Sequence, residues 1–349
     1  MRRLYIFVSI GTIGLFLIIY FGVNRPWWLG LAGLALPAVI GFHVLCFLLF
    51  MVSDRRSLMW SFLVLLSSLL FWSRTFQSQK ESFSTEASSR ANSLRVLSYN
   101  VGNSHRTNEQ TQSYCQWLGA VNADVMVLPE YSNYMVDKKA TLPCIRKSGY
   151  IFHHTLNHSR YGDLKNTARL TVFSKYPIVF AKDTLFQFLN GVIRADIVKQ
   201  GDTVSVFGVH LYSMSLELDK LAKEKQQEKL EKGGIRILQK IKRGFVNRSR
   251  EVDLLMDWIG QSPYPKIVAG DFNETPYSYS YSTLRHQFAN AFEEKGRGFG
   301  FTFNGIPHFI RIDHQFYQKD KMELLDFQTF RKVTFSDHFP LLGTYQLKK

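Results

Sequence analysis

Cysteine is scarce in this chain of 349 residues: only Cys46, Cys115 and Cys144 occur. There is no CxxC pair and no cysteine–histidine cluster at zinc spacing, which argues against a structural zinc site. The glycine-rich stretch "GRGFGFTFNG", Arg297 to Gly305 and its flank, does not read as a Walker-type phosphate loop. No internal repeat of short period is present. Acidic residues are outnumbered: 28 Asp and Glu face 43 Lys and Arg, a formal charge of +15. Such a balance suits solubility, nucleic acid, an anionic membrane or phosphate-bearing substrates, without choosing among them.

Long apolar runs, by contrast, fill the first fifth of the chain. Residues 4–23 carry no charge and are long enough to span a bilayer. A second run extends from Trp27 to Val52, and a third, shorter one covers residues 58–72. Trp27, Trp28, Trp60 and Trp72 stand near the run ends, where interfacial anchors sit. A cleaved signal peptide would not be followed directly by two further apolar runs. The expectation is three transmembrane helices over residues 1–72. Arg2 and Arg3 precede the first span, and Arg55 and Arg56 separate the second from the third. The positive-inside rule then places the N-terminus in the cytoplasm and everything after Arg74 outside it. If the short third run did not cross, the rest of the chain would stay inside. Residues 73–93 are polar, serine-rich and aperiodic, and read as a flexible tether.

From Leu94 onward, apolar strands alternate with helical stretches. "LRVLSYNV", "DVMVLPE", "YIFHHT", "ARLTVFSKYPI", "KIVAGD", "FIRIDHQFY" and the segment after "SDHFP" read as strands. "VIRADIVKQGDTVSVFGVHL" reads as a hairpin turning at Gly201-Asp202. Helices are expected over 109–120, up to about Cys144, and near 280–290. A charged helical stretch from about Ser215 to Gly260 should break at Gly233-Gly234 and near Gly244. Mixed elements over this length suggest a layered α/β sandwich over residues 94–349.

The strand ends share an unusual property. Asn100, Glu130, His210, Asp271 with Asn273, Asp313, and Asp337 with His338 all stand there. One such residue alone is more often a turn former than a catalyst. Repetition is the argument, because so many costly polar groups are hard to place at the rim of one core without a function. Asp271 and Asn273 are two positions apart and point the same way along an extended chain.

In order, "VLSYNV", "LPE", "RLTVFSKYPI", "GVHL", "AGDFNETP", "RIDHQF" and "SDHFPL" resemble the motifs of the endonuclease/exonuclease/phosphatase superfamily, whose members include deoxyribonuclease-like and sphingomyelinase-like enzymes. The resemblance runs from about Leu94 to the C-terminus. It implies a four-layer α-β-β-α sandwich with two packed mixed sheets, preceded here by a helical membrane anchor. With the three spans, which lie outside the resemblance, the expectation is a bacterial-type enzyme held in the cell membrane, its catalytic domain on the non-cytoplasmic side. Glu130 would bind a divalent cation, with Asp337 and Asn100 completing or supporting its shell. Hard oxygen donors suit Mg²⁺ or Mn²⁺. Asp313 would fix the tautomer of His338 and stabilise its charge. Asp271 would position or deprotonate the attacking water, while Asn273 would donate to a non-bridging oxygen. His210 would be a further donor or leaving-group acid, and Arg169 would bind the phosphate. Whether His338 or Asp271 takes the water's proton stays open. His314, where an aromatic residue is common in the family, should face away from the site.

The leading expectation is therefore a metal-dependent phosphodiesterase, with nucleic acid as a candidate substrate. A lipid-head-group or phosphoinositide-type phosphohydrolase keeps the same chemistry, and a non-catalytic membrane receptor is the third possibility. The partners expected are a phosphate ester and the bilayer, with no obligate protein partner. The basic stretch 215–250 is either a solvated helix, a clamp on nucleic-acid backbone or a patch on anionic lipid. Cys115 and Cys144 could pair if the domain lies outside the cytoplasm.

Overall fold

The computed structural model describes residues 2–22, 25–78, 92–102, 108–132, 141–157, 169–187, 189–214, 227–306 and 308–348. Two six-stranded mixed sheets face each other. The first runs in the order β13-β14-β2-β3-β5-β4, from Met322–Thr329 (β13), Leu341–Leu347 (β14), Ser93–Ser98 (β2), Val125–Tyr131 (β3), Arg169–Ser174 (β5) and Phe152–Thr155 (β4). The second runs β10-β12-β9-β8-β7-β6, from Ala289–Asn290 (β10), Asp313–Tyr317 (β12), Lys266–Asp271 (β9), Asp202–His210 (β8), Asn190–Lys199 (β7) and Ile178–Gln187 (β6). Among the described residues, only β2–β3 and β8–β9 pair in parallel.

Val96, Val125, Val127, Val172, Ile193, Val206 and Ile267 meet between the sheets. At Gly208 the sheets approach so closely that a Cβ would stand 2.9 Å from Val172. Helices cover both outer faces. Asn108–Val121 and Thr141–Lys147 pack Tyr114, Leu118 and Ile145 on the first sheet. Gln227–Gly260 and Tyr279–Arg285 pack Val252, Leu255, Ile259 and Leu284 on the second. The result is the expected four-layer α/β sandwich. Cys115 and Cys144 form a disulfide between the two helices on the first sheet, with Cα atoms 5.8 Å apart.

Two departures from expectation have physical causes. The helix Gln227–Gly260 is continuous through Gly233, Gly234 and Gly244, while residues 215–226 lie outside the described residues. Each glycine costs about 1 kcal/mol in a helix, but the buried face of Val252, Leu255 and Ile259 outweighs it. A Cβ at Gly244 would come within 2.5 Å of Met214, so glycine lets that chain pass. The edge strands β6 and β13 were not legible, because half-buried edges lack a clean alternation.

The N-terminal helices are Arg2–Tyr20, Trp27–Leu34, Leu36–Phe50 and a run from Arg55 to Thr75. Two of them, Arg2–Tyr20 and Arg55–Thr75, are long and apolar enough to cross a membrane by length and composition. The other two are bent by 52° and make a third span only if taken as one. Burial in these helices mixes polar and apolar side chains. On the first helix Ser9, Thr12, Phe16 and Ile19 are buried, whereas Leu4, Phe7 and Ile10 are exposed. Tyr5 bonds Ser61 and His43 inside the bundle, at 2.7 and 3.0 Å.

The polar stretch after residue 72 starts with ordered structure. Trp72–Thr75 is helical, and Gln77–Ser78 (β1) pairs antiparallel with Arg297–Gly298 (β11). Residues 79–91 of the expected tether lie outside the described residues. Arg74 is 1% exposed and ties the two parts together. It donates to Tyr20 O, Pro276 O and Ser282 Oγ, at 3.1, 3.3 and 3.3 Å. Arg311 donates to the carbonyl of Arg74, and Thr75 bonds Tyr277 across 2.8 Å. A Cβ at Gly33 would stand 2.6 Å from Tyr277 O, so the second helix touches that loop backbone to backbone.

Candidate active site

The polar strand ends converge at one edge of the sandwich. Parallel pairing puts His210 opposite Asp271, and antiparallel pairing puts Asp313 opposite Asp271. The three residues therefore lie side by side across β8, β9 and β12. Asn100 and Glu130 arrive from β2 and β3 of the facing sheet.

Asn100 joins the two sheets. Its Nδ2 donates to Asp271 Oδ2 at 2.9 Å and to Glu130 Oε1 at 3.3 Å, and its Oδ1 accepts from Gly102 N. Asp271 is 1% exposed, and its Oδ1 accepts from Asn273 N at 2.8 Å. His210 Nδ1 donates to Leu189 O, which leaves Nε2 facing Glu130 at 3.6 Å and Asp271 at 3.9 Å. That nitrogen is buried and makes no hydrogen bond among the described residues, so it is aimed into the cluster without a partner.

His338 donates from Nδ1 to Asp313 Oδ2 at 2.8 Å, and its Nε2 lies 3.9 Å from Asp271 Oδ2. Burial pushes the imidazole toward neutrality. The Asp313 carboxylate, helped by Asp271 and Asp337, outweighs burial and raises His338 to about 10. Burial likewise lifts Asp313, to about 6, against the attraction of His338. The pair holds one strongly favoured charge on the imidazole.

Glu130 and Asn273 both have positive φ, 57° and 52°. A non-glycine residue there costs roughly 1 kcal/mol or more and persists only when its surroundings impose it. Glu130 lies in the register shift between Leu128 and Tyr131 of β3, Asn273 just beyond the end of β9, and strain of this kind gathers at functional sites. One Nδ2 proton of Asn273 goes to Leu211 O at 3.0 Å, which leaves the other for a ligand.

Asp337 reaches the same rim. Ser336 Oγ donates to Gly102 O at 2.9 Å, and Gly102 lies against the Glu130 carboxylate, where a Cβ would stand 1.9 Å from Oε2. Arg169 is in register with Tyr131, the residue after Glu130. His314 points out of the site: its Nε2 bonds Glu274 O at 2.8 Å, and burial, then the Arg311 charge, lower it to about 3. Thr302 escaped sequence reasoning. Its Oγ1 accepts from Ile312 N and Asp313 N, at 3.0 and 3.1 Å, and so holds the start of β12. Thr302 lies in an aperiodic aromatic loop, and no local signal marks it.

Asp271, Asp313 and His338 offer ligand atoms close enough for one cation. Their inward lone pairs are already engaged, by Asn100, Asn273 and each other. Glu130 is only half-buried and takes one long bond, so it has more capacity for a hard cation.

Beneath the site, Arg248 bonds Glu274 Oε1 and Tyr212 O at 2.8 and 2.9 Å, and Glu251 accepts from Tyr212 N. These bonds fasten the segments that follow His210 and Asp271. Burial raises Glu251 to about 7, more than the Tyr212 amide and Arg248 lower it, and Glu274 adds to the rise. A carboxyl raised on folding favours the folded state fully below the unfolded value. That advantage is lost as pH rises through about 7. Wild type should therefore lose about 3 kcal/mol between pH 4.5 and 7 relative to Glu251→Gln, in paired thermal melts. Parallel pH profiles would contradict this.

Structures of other proteins share the architecture. D. rerio TDP2, solved with a single-strand DNA product, superposes with a TM-score of 0.52 at 15% identity, covering 73% of this chain and 99% of that one. A family protein from Leptotrichia buccalis gives 0.50 at 14% identity, covering 73% and 100%. At such identities the likeness shows the fold alone. No curated protein sequence matches. The sequence pattern of the endonuclease/exonuclease/phosphatase family matches residues 97–338, a span that contains Asn100, Glu130, His210, Asp271, Asp313 and His338. The chain belongs to that family, whose members are phosphoric ester hydrolases.

Proposed function

We propose that the chain is a membrane-anchored, divalent-metal-dependent hydrolase that cleaves phosphodiester bonds with an activated water. The observation that carries this reading is the convergence of Asn100, Glu130, His210, Asp271, Asp313 and His338 within a few ångströms, from both sheets. Glu130 and Asp337, supported by the second lone pair of Asn100 Oδ1, would hold Mg²⁺ or Mn²⁺. The bound cation would offset phosphate charge and polarise the phosphoryl group.

The remaining work falls to the protein's own groups. Asp313 keeps His338 charged and oriented, so that Nε2–H can donate to a phosphoryl oxygen as negative charge builds there. Asp271, held by Asn100 and Asn273 N, aligns the water and accepts its proton. The free Nδ2 proton of Asn273 donates to a non-bridging oxygen. His210, whose Nδ1–H is held by Leu189 O, donates from Nε2 on the leaving-group side as the imidazolium, and Arg169 holds the phosphate at the rim.

The disulfide supports a catalytic domain outside the cytoplasm, because such bonds persist in oxidising compartments. That side agrees with the Arg2-Arg3 and Arg55-Arg56 pattern. A lipid-head-group substrate is the second reading. It is favoured by the helix Gln227–Gly260, whose Phe245 packs on Gly30 and whose Lys242 lies over Trp27. Full-length protein in detergent should hydrolyse at least one of plasmid DNA, RNA or phospholipid when Mg²⁺ is present. EDTA should lower that rate more than 100-fold, and added Mg²⁺ should restore it, since ion-assisted charge stabilisation is worth several kcal/mol. Turnover indifferent to EDTA would end the metal assignment.

A further inference from the structure

The strand ends that carry the site are the same ends that meet the N-terminal helices. Tyr277, which bonds Thr75, follows Asp271 by six residues. Arg311, which bonds the Arg74 carbonyl, precedes Asp313 by two. Two residues span at most ~7 Å, so the end of the last apolar helix lies about one side chain beyond the catalytic rim.

From that helix end, aromatic rings run outward in unbroken contact. Trp72 touches Phe76 at 5.7 Å, Phe76 touches Phe299 at 5.2 Å, Phe299 stacks on Phe301 at 5.4 Å, and Phe301 meets Phe309 at 5.5 Å. On the same loop Phe303 packs on His338, with ring centres 5.1 Å apart. Yet Phe299, Ile306 and Phe309 are 48%, 54% and 74% exposed. Phe309 has φ +67°, a conformation that a bulky residue adopts only under constraint. The fold thus spends strain to hold an apolar ring outside the protein. Lys332 and Arg331 stand exposed nearby, with Arg331 over Phe301. Aromatic rings beside cations are what the lipid–water boundary selects.

We propose that the loop bearing Phe299, Ile306 and Phe309 is a bilayer-contacting surface. It enters the head-group region of the membrane that the N-terminal helices cross, with Arg331 and Lys332 against lipid phosphates. The inference rests on reading those helices as membrane spans. The occupant is lipid because the apolar surface is continuous, ring by ring, with Trp72 at the end of a span-length helix. The mouth beside His338 then faces the membrane.

The test uses the full chain with Cys46→Ser, so that an introduced cysteine is the only free thiol. Cysteine replaces Phe309, Phe299, Phe7 or Asp202, one at a time, and carries an environment-sensitive fluorophore. Each labelled protein is placed in nanodiscs of phosphatidylcholine and phosphatidylglycerol. Shallow doxyl-labelled lipid should quench the 309 and 299 probes at least twofold, and aqueous iodide should quench them less than the Asp202 probe on the far hairpin. If the Phe7 probe is quenched by lipid but neither loop probe is, the membrane reading stands and this inference falls. If no probe meets lipid, both fall. A response of the loop probes to single-stranded DNA in place of lipid would assign the surface to nucleic acid and overturn the proposal.

Discussion

Asp271→Asn should fold and turn over about 10³- to 10⁴-fold more slowly than wild type, the upper part of the range for a positioned proton-transfer group. The carboxylate is 1% exposed and receives N–H donors on both oxygens. An amide keeps the shape but turns an NH₂ toward either Asn100 Nδ2 or Asn273 N, two donors that then face a donor. Stability should fall by about 1–3 kcal/mol, the cost of a buried group left unsatisfied. The kinetic signature separates the two effects. A water-activating group lowers kcat and leaves KM nearly unchanged, whereas a collapsed rim raises KM as well. Combined with His338→Ala, the losses should add to much less than their product, because the imidazole Nε2 and Asp271 Oδ2 stand 3.9 Å apart and serve one transition state. An Asp271→Asn protein within tenfold of wild type, melting normally, would remove Asp271 from the chemistry.

Arg74→Ala should lower stability by about 3–5 kcal/mol, because each buried acceptor left without its donor costs about 1–3 kcal/mol. Three acceptors, Tyr20 O, Pro276 O and Ser282 Oγ, lose their donor at once. The guanidinium also lies over the rings of Tyr20, Phe71 and Tyr281, at 5.1, 5.7 and 5.7 Å. Lysine offers neither the planar fork nor the stacking surface, so Arg74→Lys should recover only a minor part. Thermal unfolding of the detergent-solubilised chain measures the loss, and limited proteolysis between the helices and the sandwich locates it. An unchanged melting temperature would mean that the Arg74 side chain carries no net weight in the joint, which then rests on contacts such as Thr75–Tyr277.

This interface was illegible in the sequence, and the reason is instructive. Arg74 reads as the first charged residue after an apolar run, which marks a membrane boundary and nothing more. Two of its three acceptors are backbone carbonyls, at residues 20 and 276, and carbonyls carry no sequence signature. The sandwich was legible for the opposite reason. Strands such as β3 and β9 are apolar runs that end abruptly on Glu130 and Asp271, and burial on both faces leaves few other assignments. The edge strands β6 and β13 blur that signal because one flank is solvated. Residue types at the strand ends pointed to the site, yet the partners did not follow from them. That Asn100 would bridge Asp271 and Glu130, or that Thr302 would hold β12, depends on loops whose contacts are entirely long-range. The glycines of the helix Gln227–Gly260 misled for a similar reason: local propensity suggested breaks, and tertiary burial overrode them.

Gly102 sets a criterion that reaches beyond this chain. Its α-carbon faces the Glu130 carboxylate so closely that even alanine would push a methyl group into Oε2. The Glu130 carboxylate, at the free end of its side chain, would have to swing away from Asn100 and the site. Within kindred sequences, a side chain at this position should therefore accompany loss of the acidic residue and mark scaffolds that have abandoned hydrolysis, while glycine and glutamate should be kept or lost together.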